Sequence, residues 1–155
     1  MTRYLLATAS VHTTAAAADY LTDRLGADDE VVALTVDEPD LDTRDAGDAA
    51  NVARSRLLPA TVEVVEREGE RAAAAPPGND EGGSADRVAE EIRAVLAERE
   101  IDALLLGPRR GDPGASGEGG DSTTGVAPGS TVRALLGRVD VPVVVVPVPE
   151  LSDSA

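Results

Sequence analysis

Two glycine-containing segments near the C-terminus carry the residue types that bind anions. After an apolar run, the chain reads Gly107-Pro-Arg-Arg-Gly111, and it resumes at Gly129-Ser130-Thr131 before a second apolar pattern. A helix that opens with Gly-Ser presents free backbone N–H groups and a hydroxyl, which suit a phosphate. Glycine also lets a ligand approach the backbone closely. The two segments therefore predict a phosphate-binding loop that is followed by a helix N-terminus.

Each of these residues also has a purely structural interpretation. Ser130 and Thr131 are good N-cap residues whatever the function, and Gly107 can be a turn glycine before a proline. Arg109 and Arg110 can hold a phosphate bidentately, or they can balance the carboxylates of the adjoining loop. Those carboxylates would repel a bare polyphosphate, although Mg²⁺ could bridge the carboxylates and the phosphates. No catalytic residue is predicted, because His12, the only histidine, has no identifiable partner. No metal site is predicted, because the spacing of the carboxylate pairs Asp37-Glu38 and Glu90-Glu91 gives no ligand set.

Composition narrows the possible partners and compartments. The chain has 155 residues, a formal net charge of −15, 14 Lys+Arg positions that are all Arg, and no cysteine. Abundant carboxylates with Arg in place of Lys suggest a high-salt cytoplasm, where charge repulsion is screened, although an ordinary acidic protein is the alternative. We expect no nucleic-acid partner because no basic patch exists to neutralise phosphates.

No segment is predicted to enter a membrane. The apolar run Tyr4–Ala9 is interrupted by Ser10 and His12 before it could serve as a signal peptide. The run Val143–Val146 is far too short to span a bilayer. We therefore expect a cytoplasmic protein.

Predicted strands and helices alternate along the chain, which favours an α/β fold with a parallel sheet covered by helices on both faces. Apolar periodicity and helix-stop residues set the predicted bounds. The strands are Tyr4–Ala9, Val31–Val36, Thr61–Glu66, Asp102–Leu106 and Val141–Val148, and the helices are Thr13–Leu25, Asp45–Leu58, Asp86–Arg99 and Ser130–Arg138. Charged alternate positions put the third strand at a sheet edge. One domain covers 1–149, with flexible loops at 72–85 and 111–128 and a tail at 150–155.

The order of these pieces resembles the universal stress protein family over nearly the whole chain. The similar parts are the opening Leu5-Leu-Ala-Thr8, the turn Arg67-Glu-Gly69, the strand Ile101-Asp-Ala-Leu-Leu-Leu-Gly107, the Gly129-Ser130 step and the ending Val141-Pro-Val-Val-Val-Val-Pro147. The resemblance implies a Rossmann-like, five-stranded parallel sheet in the order 3-2-1-4-5. It also implies a homodimer, here through Val141–Val148, and in some members a bound ATP.

The chain departs from the nucleotide-binding branch of that family, whose loop reads Gly-x-x-Gly-x₉-Gly-Ser/Thr. Arg110 stands where the second glycine belongs, and 17 residues separate Gly111 from Gly129. Ala9 takes the place of the branch's aspartate at the end of the first strand. The resemblance therefore implies a degenerate site for ATP or another adenine nucleotide with Mg²⁺, with weak or no binding. Its residues would be Thr8, Ala9, Val36, Gly107, Arg109, Gly111, Gly129, Ser130 and Thr131.

The leading functional hypothesis is a dimeric stress-response or regulatory module with this weakened site. A structural or scaffold dimer without a small ligand is the alternative. An ATP-hydrolysing or adenylating enzyme is disfavoured, because adenylating relatives carry a Ser-Gly-Gly-x-Asp-Ser loop after the first strand. This chain has no glycine in Thr8-Ala-Ser-Val-His-Thr13.

We expect folding to depend on salt. The net charge of −15 makes self-repulsion grow as salt is removed, because the Debye length rises from ~3 Å at 1 M to ~10 Å at 0.1 M. Circular dichroism melts in KCl at these two concentrations should give a higher midpoint at high salt. An unchanged midpoint would contradict the charge argument.

Overall fold

The computed structural model describes residues 1–8, 10–37, 43–58, 60–68, 80–107 and 129–146. Across them the strands form one five-stranded parallel sheet in the order β3-β2-β1-β4-β5, which confirms the predicted fold class. The strands are β1 (Arg3–Thr8), β2 (Glu30–Asp37), β3 (Thr61–Glu68), β4 (Ala103–Leu106) and β5 (Val143–Val145), and the helices are α1 (Val11–Thr22), α2 (Thr43–Arg56), α3 (Asp80–Glu98) and α4 (Ser130–Leu135).

Helices cover both faces of the sheet because the middle positions of the central strands, such as Leu5–Ala7 and Val31–Leu34, are apolar without interruption. On β1, Leu5 and Ala7 pack with residues of α3 and α4, whereas Leu6 packs with residues of α1 and α2. Leu34 of β2 belongs to the first cluster and Ala33 to the second. Successive strand residues point to opposite faces, so a run without polar positions supplies two cores at once.

These cores are built mainly from aliphatic side chains, and Tyr4 and Tyr20, which are partly buried, pack against one of them. Phe and Trp are absent from the sequence, and the largest fully buried side chains are leucine, isoleucine and valine. Full burial of one such side chain contributes roughly 1.5–3 kcal/mol. Alanines on α1 and α2, among them Ala17, Ala18 and Ala53, let these helices approach the sheet closely.

The two outer strands differ in chemistry. On β3, Glu63 is held bidentately by Arg99 at 2.6 and 2.7 Å, and this hydrogen-bonded pair lowers the pKa of the Glu63 carboxyl. Arg67 pairs with Glu98. Charged side chains of this kind protect an edge strand from pairing with other chains. The prediction that β3 lies at an edge is therefore confirmed.

The opposite outer strand, β5, carries no charged side chain. It pairs with β4 through the bonds Leu104 N–H to the Pro142 carbonyl, 2.9 Å, and Val146 N–H to the Leu106 carbonyl, 2.9 Å. Backbone groups alternate in direction along a strand, so those of Val143 and Val145 point toward the open edge. Val145 is 44% exposed.

Several elements begin or end away from their predicted positions. Helix α1 starts two residues early because Ser10 caps it. Helix α3 starts at Asp80 and so takes in the end of the predicted loop 72–85, whose residues 72–79, like loop 111–128, lie outside the described residues. Strand β3 runs to Glu68, so Arg67 and Glu68 extend the strand rather than forming a turn. Gly137, with φ of 77°, lies just beyond the end of α4.

Two aspartates fix the start of β1 at the amino edge of the sheet. Asp29 accepts hydrogen bonds from the Thr2 N–H at 2.7 Å and the Gly26 N–H at 2.8 Å. The Gly26 bond, followed by the Thr2 bond, lowers the pKa of the Asp29 carboxyl. Asp102 accepts from the Arg3 N–H at 2.7 Å.

Within the described ranges, no helix has the length and apolar character needed to cross a membrane.

Candidate functional site at the carboxyl ends of β1 and β4

The chain direction across the sheet reverses between β1 and β4. From β1 it passes through α1 to β2 on one side, and from β4 through α4 to β5 on the other. Helices α1 and α4 lie on opposite faces of the sheet, and each begins at the carboxyl edge. Ligands of open α/β sheets bind outside the strand ends at such a switch point. The parallel pairing of Ala7 with Leu106 puts the next residues, Thr8 and Gly107, level across it.

A buried cluster of hydroxyl groups lies at the end of β1. Ser10 and Thr13 form a capping box at the start of α1. The Ser10 N–H donates to Thr13 Oγ1 at 3.1 Å, and the Thr13 N–H donates to Ser10 Oγ at 3.3 Å. This arrangement satisfies two backbone donors that a helix start otherwise leaves unpaired.

Two further hydroxyls close the cluster. The Thr14 hydroxyl donates to the Ser10 carbonyl at 2.7 Å and also contacts the Thr8 hydroxyl. Thr8 Oγ1 lies 3.2 Å from Thr13 Oγ1. All four residues, Thr8, Ser10, Thr13 and Thr14, are buried. The Thr8 hydroxyl is therefore hydrogen-bonded to residues of α1. A ligand could bind this hydroxyl only by breaking these hydrogen bonds.

Gly107 is in close contact with the first turn of α1. A Cβ atom added at Gly107 would lie 2.6 Å from Thr13 Cβ and 3.4 Å from Thr13 Cγ2. No real Cβ tolerates the shorter distance, so only glycine fits here without movement. Gly107 therefore allows Thr13 of α1 to pack closely against the backbone at the end of β4. A ligand contact at Gly107 stays a prediction.

The start of α4 differs from the start of α1. Gly129 is the N-cap and makes no side-chain capping bond. Ser130 is the first helical residue and is exposed, and Thr131 is half-buried. The Gly129 carbonyl accepts the first helical bond, from the Arg133 N–H at 3.0 Å. The expectation that Ser130 or Thr131 caps the helix is therefore wrong, and among the described residues no side chain caps the first-turn N–H groups.

Of the remaining predicted site residues, the structure describes Val36 only. Val36, near the end of β2, is buried in the cluster on the α3 and α4 face. Its neighbour Thr35 is buried, and its hydroxyl has no hydrogen-bond partner. Ala9, Arg109 and Gly111 lie outside the described residues.

Sequence reasoning missed the hydroxyl cluster, although one signal was available. The spacing of Ser10 and Thr13 is that of a helix cap followed by its third helical residue, which is a recognised helix-start pattern. Thr14 and Thr35 carry no such signal, since their surroundings depend on the packing of α1 and β2. His12, in the same turn, is exposed. The described part of the chain contains no group of three or more His, Cys, Asp or Glu side chains suited to a metal ion.

Comparisons with known proteins agree with this geometry at the level of the fold. No protein-family model and no curated protein matches the chain. Among solved structures, the chain is similar to the universal stress protein from Archaeoglobus fulgidus, with 14% sequence identity and a TM-score of 0.50. The likeness covers 94% of this chain and 98% of that chain. The α/β sheet in the order 3-2-1-4-5 is therefore a universal stress protein fold.

Replacing Gly107 with alanine should destabilise the protein. The new methyl group would overlap Thr13, and overpacking of this kind typically costs about 1–3 kcal/mol. Gly47→Ala is the matched control, because Gly47 lies in α2 with nothing within 4 Å of an added Cβ. It should be neutral or stabilising by up to about 1 kcal/mol. Urea unfolding of both variants measures the difference in their free energies of unfolding. Equal midpoints would show that Thr13 moves aside at little energetic cost.

Proposed function

We propose that this protein is a cytoplasmic, dimeric regulatory module of the universal stress protein type, with a weakened site for ATP or another adenine nucleotide. The observation that carries the proposal is the open start of α4. Its N-cap Gly129 has no side chain to cap the first-turn N–H groups, no other described residue caps them, and they lie at the switch-point edge of the sheet. The fold likeness to a universal stress protein supports the same assignment.

The phosphate half of the proposed site consists of Gly129, Ser130 and Thr131. Backbone N–H groups and a hydroxyl at a helix start suit phosphate oxygens. Such a helix end contributes only ~0.3–1 kcal/mol to an exposed anion, and up to ~2 kcal/mol when partly buried. Arg109 would add a charge-assisted bond, and Mg²⁺ would bridge the phosphates to the carboxylates that the sequence carries between Gly111 and Gly129. These contributions alone do not hold ATP tightly.

The nucleoside half of the proposed site is the weaker one. Ala9 offers no carboxylate to a ribose, and the hydroxyl of Thr8 is occupied by Thr13 and Thr14. We therefore expect affinity in the tens of micromolar or poorer, which corresponds to about −6 to −7 kcal/mol. A structural dimer without a ligand is the alternative. An ATP-consuming enzyme is less favoured than either, because Thr8-Ala-Ser-Val-His-Thr13 lacks the Ser-Gly-Gly-x-Asp-Ser loop of adenylating relatives.

Nucleotide binding should depend on the start of α4. Calorimetric titration of wild type with ATP and Mg²⁺ in molar KCl should give a dissociation constant in the tens of micromolar or poorer. Ser130→Ala combined with Thr131→Val should abolish it, because both hydroxyls are removed from the phosphate half. Ser55→Ala is the control, since Ser55 is an exposed serine near the end of α2. Submicromolar binding, or binding indifferent to the double change, would place the site elsewhere.

The proposed dimer would form through the edge strand β5. Its outward backbone groups are those of Val143 and Val145, and the half-exposed Val145 offers an apolar contact. An unprotected apolar edge invites pairing with another strand, and a second copy supplies an identical one. The charged edge at β3 lacks this property.

Breaking the β5 edge should give monomers. Val145→Pro removes the outward N–H and introduces a ring that strand pairing does not accept. Val145→Thr is the control, because it keeps the shape and all backbone donors. Sedimentation in high salt at micromolar concentration should give a dimer for wild type and Val145→Thr, and a monomer for Val145→Pro. A monomeric wild type would refute the proposed dimer.

A further inference from the structure

We infer that the buried hydroxyl of Thr35 binds an internal water molecule, and that this water joins the end of β2 to the hydroxyl cluster at the start of α1. The position lies on the face of the sheet that α1 and α2 cover, whereas α4 packs on the opposite face. The inference therefore does not depend on whether a nucleotide binds at α4.

Thr35 is a buried polar residue that makes no hydrogen bond through its side chain. The residue is 4% exposed, and its Oγ1 atom is buried without a hydrogen-bond partner. An unpaired buried hydroxyl destabilises a fold, and nearly all buried polar groups of native proteins bond to protein or to ordered water. Valine has the shape of threonine and occupies three other positions of β2, so packing alone does not require a hydroxyl here. The Thr35 hydroxyl thus points to a bound partner that is not a side chain.

The alternation of the strands directs Thr35 to the same face as the hydroxyl cluster. Leu34 and Val36 pack on the face covered by α3 and α4, so Thr35 between them faces α1 and α2. Ala7 of β1 also faces α3 and α4, so the next residue, Thr8, faces α1 and α2. Thr8 and Thr35 are paired in register, and neighbouring strands lie about 4.8 Å apart. The two threonine side chains are therefore adjacent.

These adjacent hydroxyls do not bond to each other, because that of Thr8 is directed toward α1. Thr8 Oγ1 lies 3.2 Å from Thr13 Oγ1 and also contacts Thr14 Oγ1. Groups separated by the strand spacing of about 4.8 Å are too far apart for a direct hydrogen bond of ~2.8 Å. A water molecule that makes two such bonds at a tetrahedral angle spans roughly 4.5 Å. The spacing of the two strands therefore suits one bridging water.

The surrounding groups supply about three hydrogen bonds, the number that a buried water typically makes. The Thr35 hydroxyl supplies the first. A hydroxyl has one donor and two acceptor lone pairs, so Thr8 Oγ1 and Thr14 Oγ1 keep acceptor capacity beside their bonds within the cluster. On α2, the buried residues Ala49 and Ala50 are small and carry no polar group that would compete for the water.

Replacing Thr35 with valine distinguishes a hydrated hydroxyl from a dry one. Thr35→Val keeps the shape of the side chain and removes a partner of the water, so the midpoint of urea unfolding should fall. A dry, unpaired hydroxyl would give the opposite sign, because its removal abolishes a desolvation cost. Thr61→Val is the matched control, since Thr61 is an exposed threonine at the start of β3, and it should leave the midpoint unchanged.

The water itself is detected by magnetic relaxation dispersion of the solvent, which counts long-lived internal water molecules. Wild type and Thr35→Ser, which keeps the hydroxyl, should each hold one more such water than Thr35→Val. An equal count in wild type and Thr35→Val, or a higher urea midpoint for Thr35→Val, would overturn the inference. A high-resolution crystal structure of wild type decides the question without any variant. It should show a water within hydrogen-bond distance of Thr35 Oγ1, and a site without one would also overturn the inference.

Discussion

The contact between the first turn of α1 and the ends of β1 and β4 is the constraint on which the carboxyl edge of the sheet depends. Thr13 shares a capping box with Ser10 and packs against Gly107. The hydroxyls that start the helix therefore also fix its position on the sheet. Because these groups satisfy one another in a buried setting, removing one leaves others without partners, and an unpaired buried polar group costs more than a single hydrogen bond contributes.

The general fold could be predicted from the sequence because its signals are repeated and strong. Uninterrupted apolar runs such as Leu5–Ala7 and Leu104–Leu106 are typical of strands buried on both faces. The charged positions of β3 marked it as an edge strand. The bounds were less predictable where local chemistry decides them. The start of α1 depends on Ser10 as a cap, and the start of α3 includes Gly82 and Gly83, which are poor helix formers.

The site could be predicted only in part, since its residues come from segments far apart in sequence. Gly107 is predicted to allow a ligand to approach, whereas the close contact that the structure shows is with Thr13, 94 positions earlier. No local sequence pattern reveals such a contact. The start of α4 was recognisable from Gly129-Ser130. The N-cap is Gly129 rather than Ser130 or Thr131. The hydroxyl of Thr35 lacks a hydrogen-bond partner within the chain because of how β2 is packed, which no local sequence pattern reveals.

The two helix starts at the switch point explain why only part of a ligand site is expected to function. A helix N-terminus attracts anions through its unpaired N–H groups. In both helices the N-cap carbonyl accepts the first helical bond, from the Thr14 N–H in α1 and from the Arg133 N–H in α4. The difference is that Ser10 Oγ also accepts the Thr13 N–H in α1, whereas Gly129 has no side chain to do the same in α4. Whichever helix supplies its own acceptors loses the capacity to bind a foreign anion there. The difference between Ser10 and Gly129 is therefore the reason why we propose phosphate contact at α4 rather than at α1.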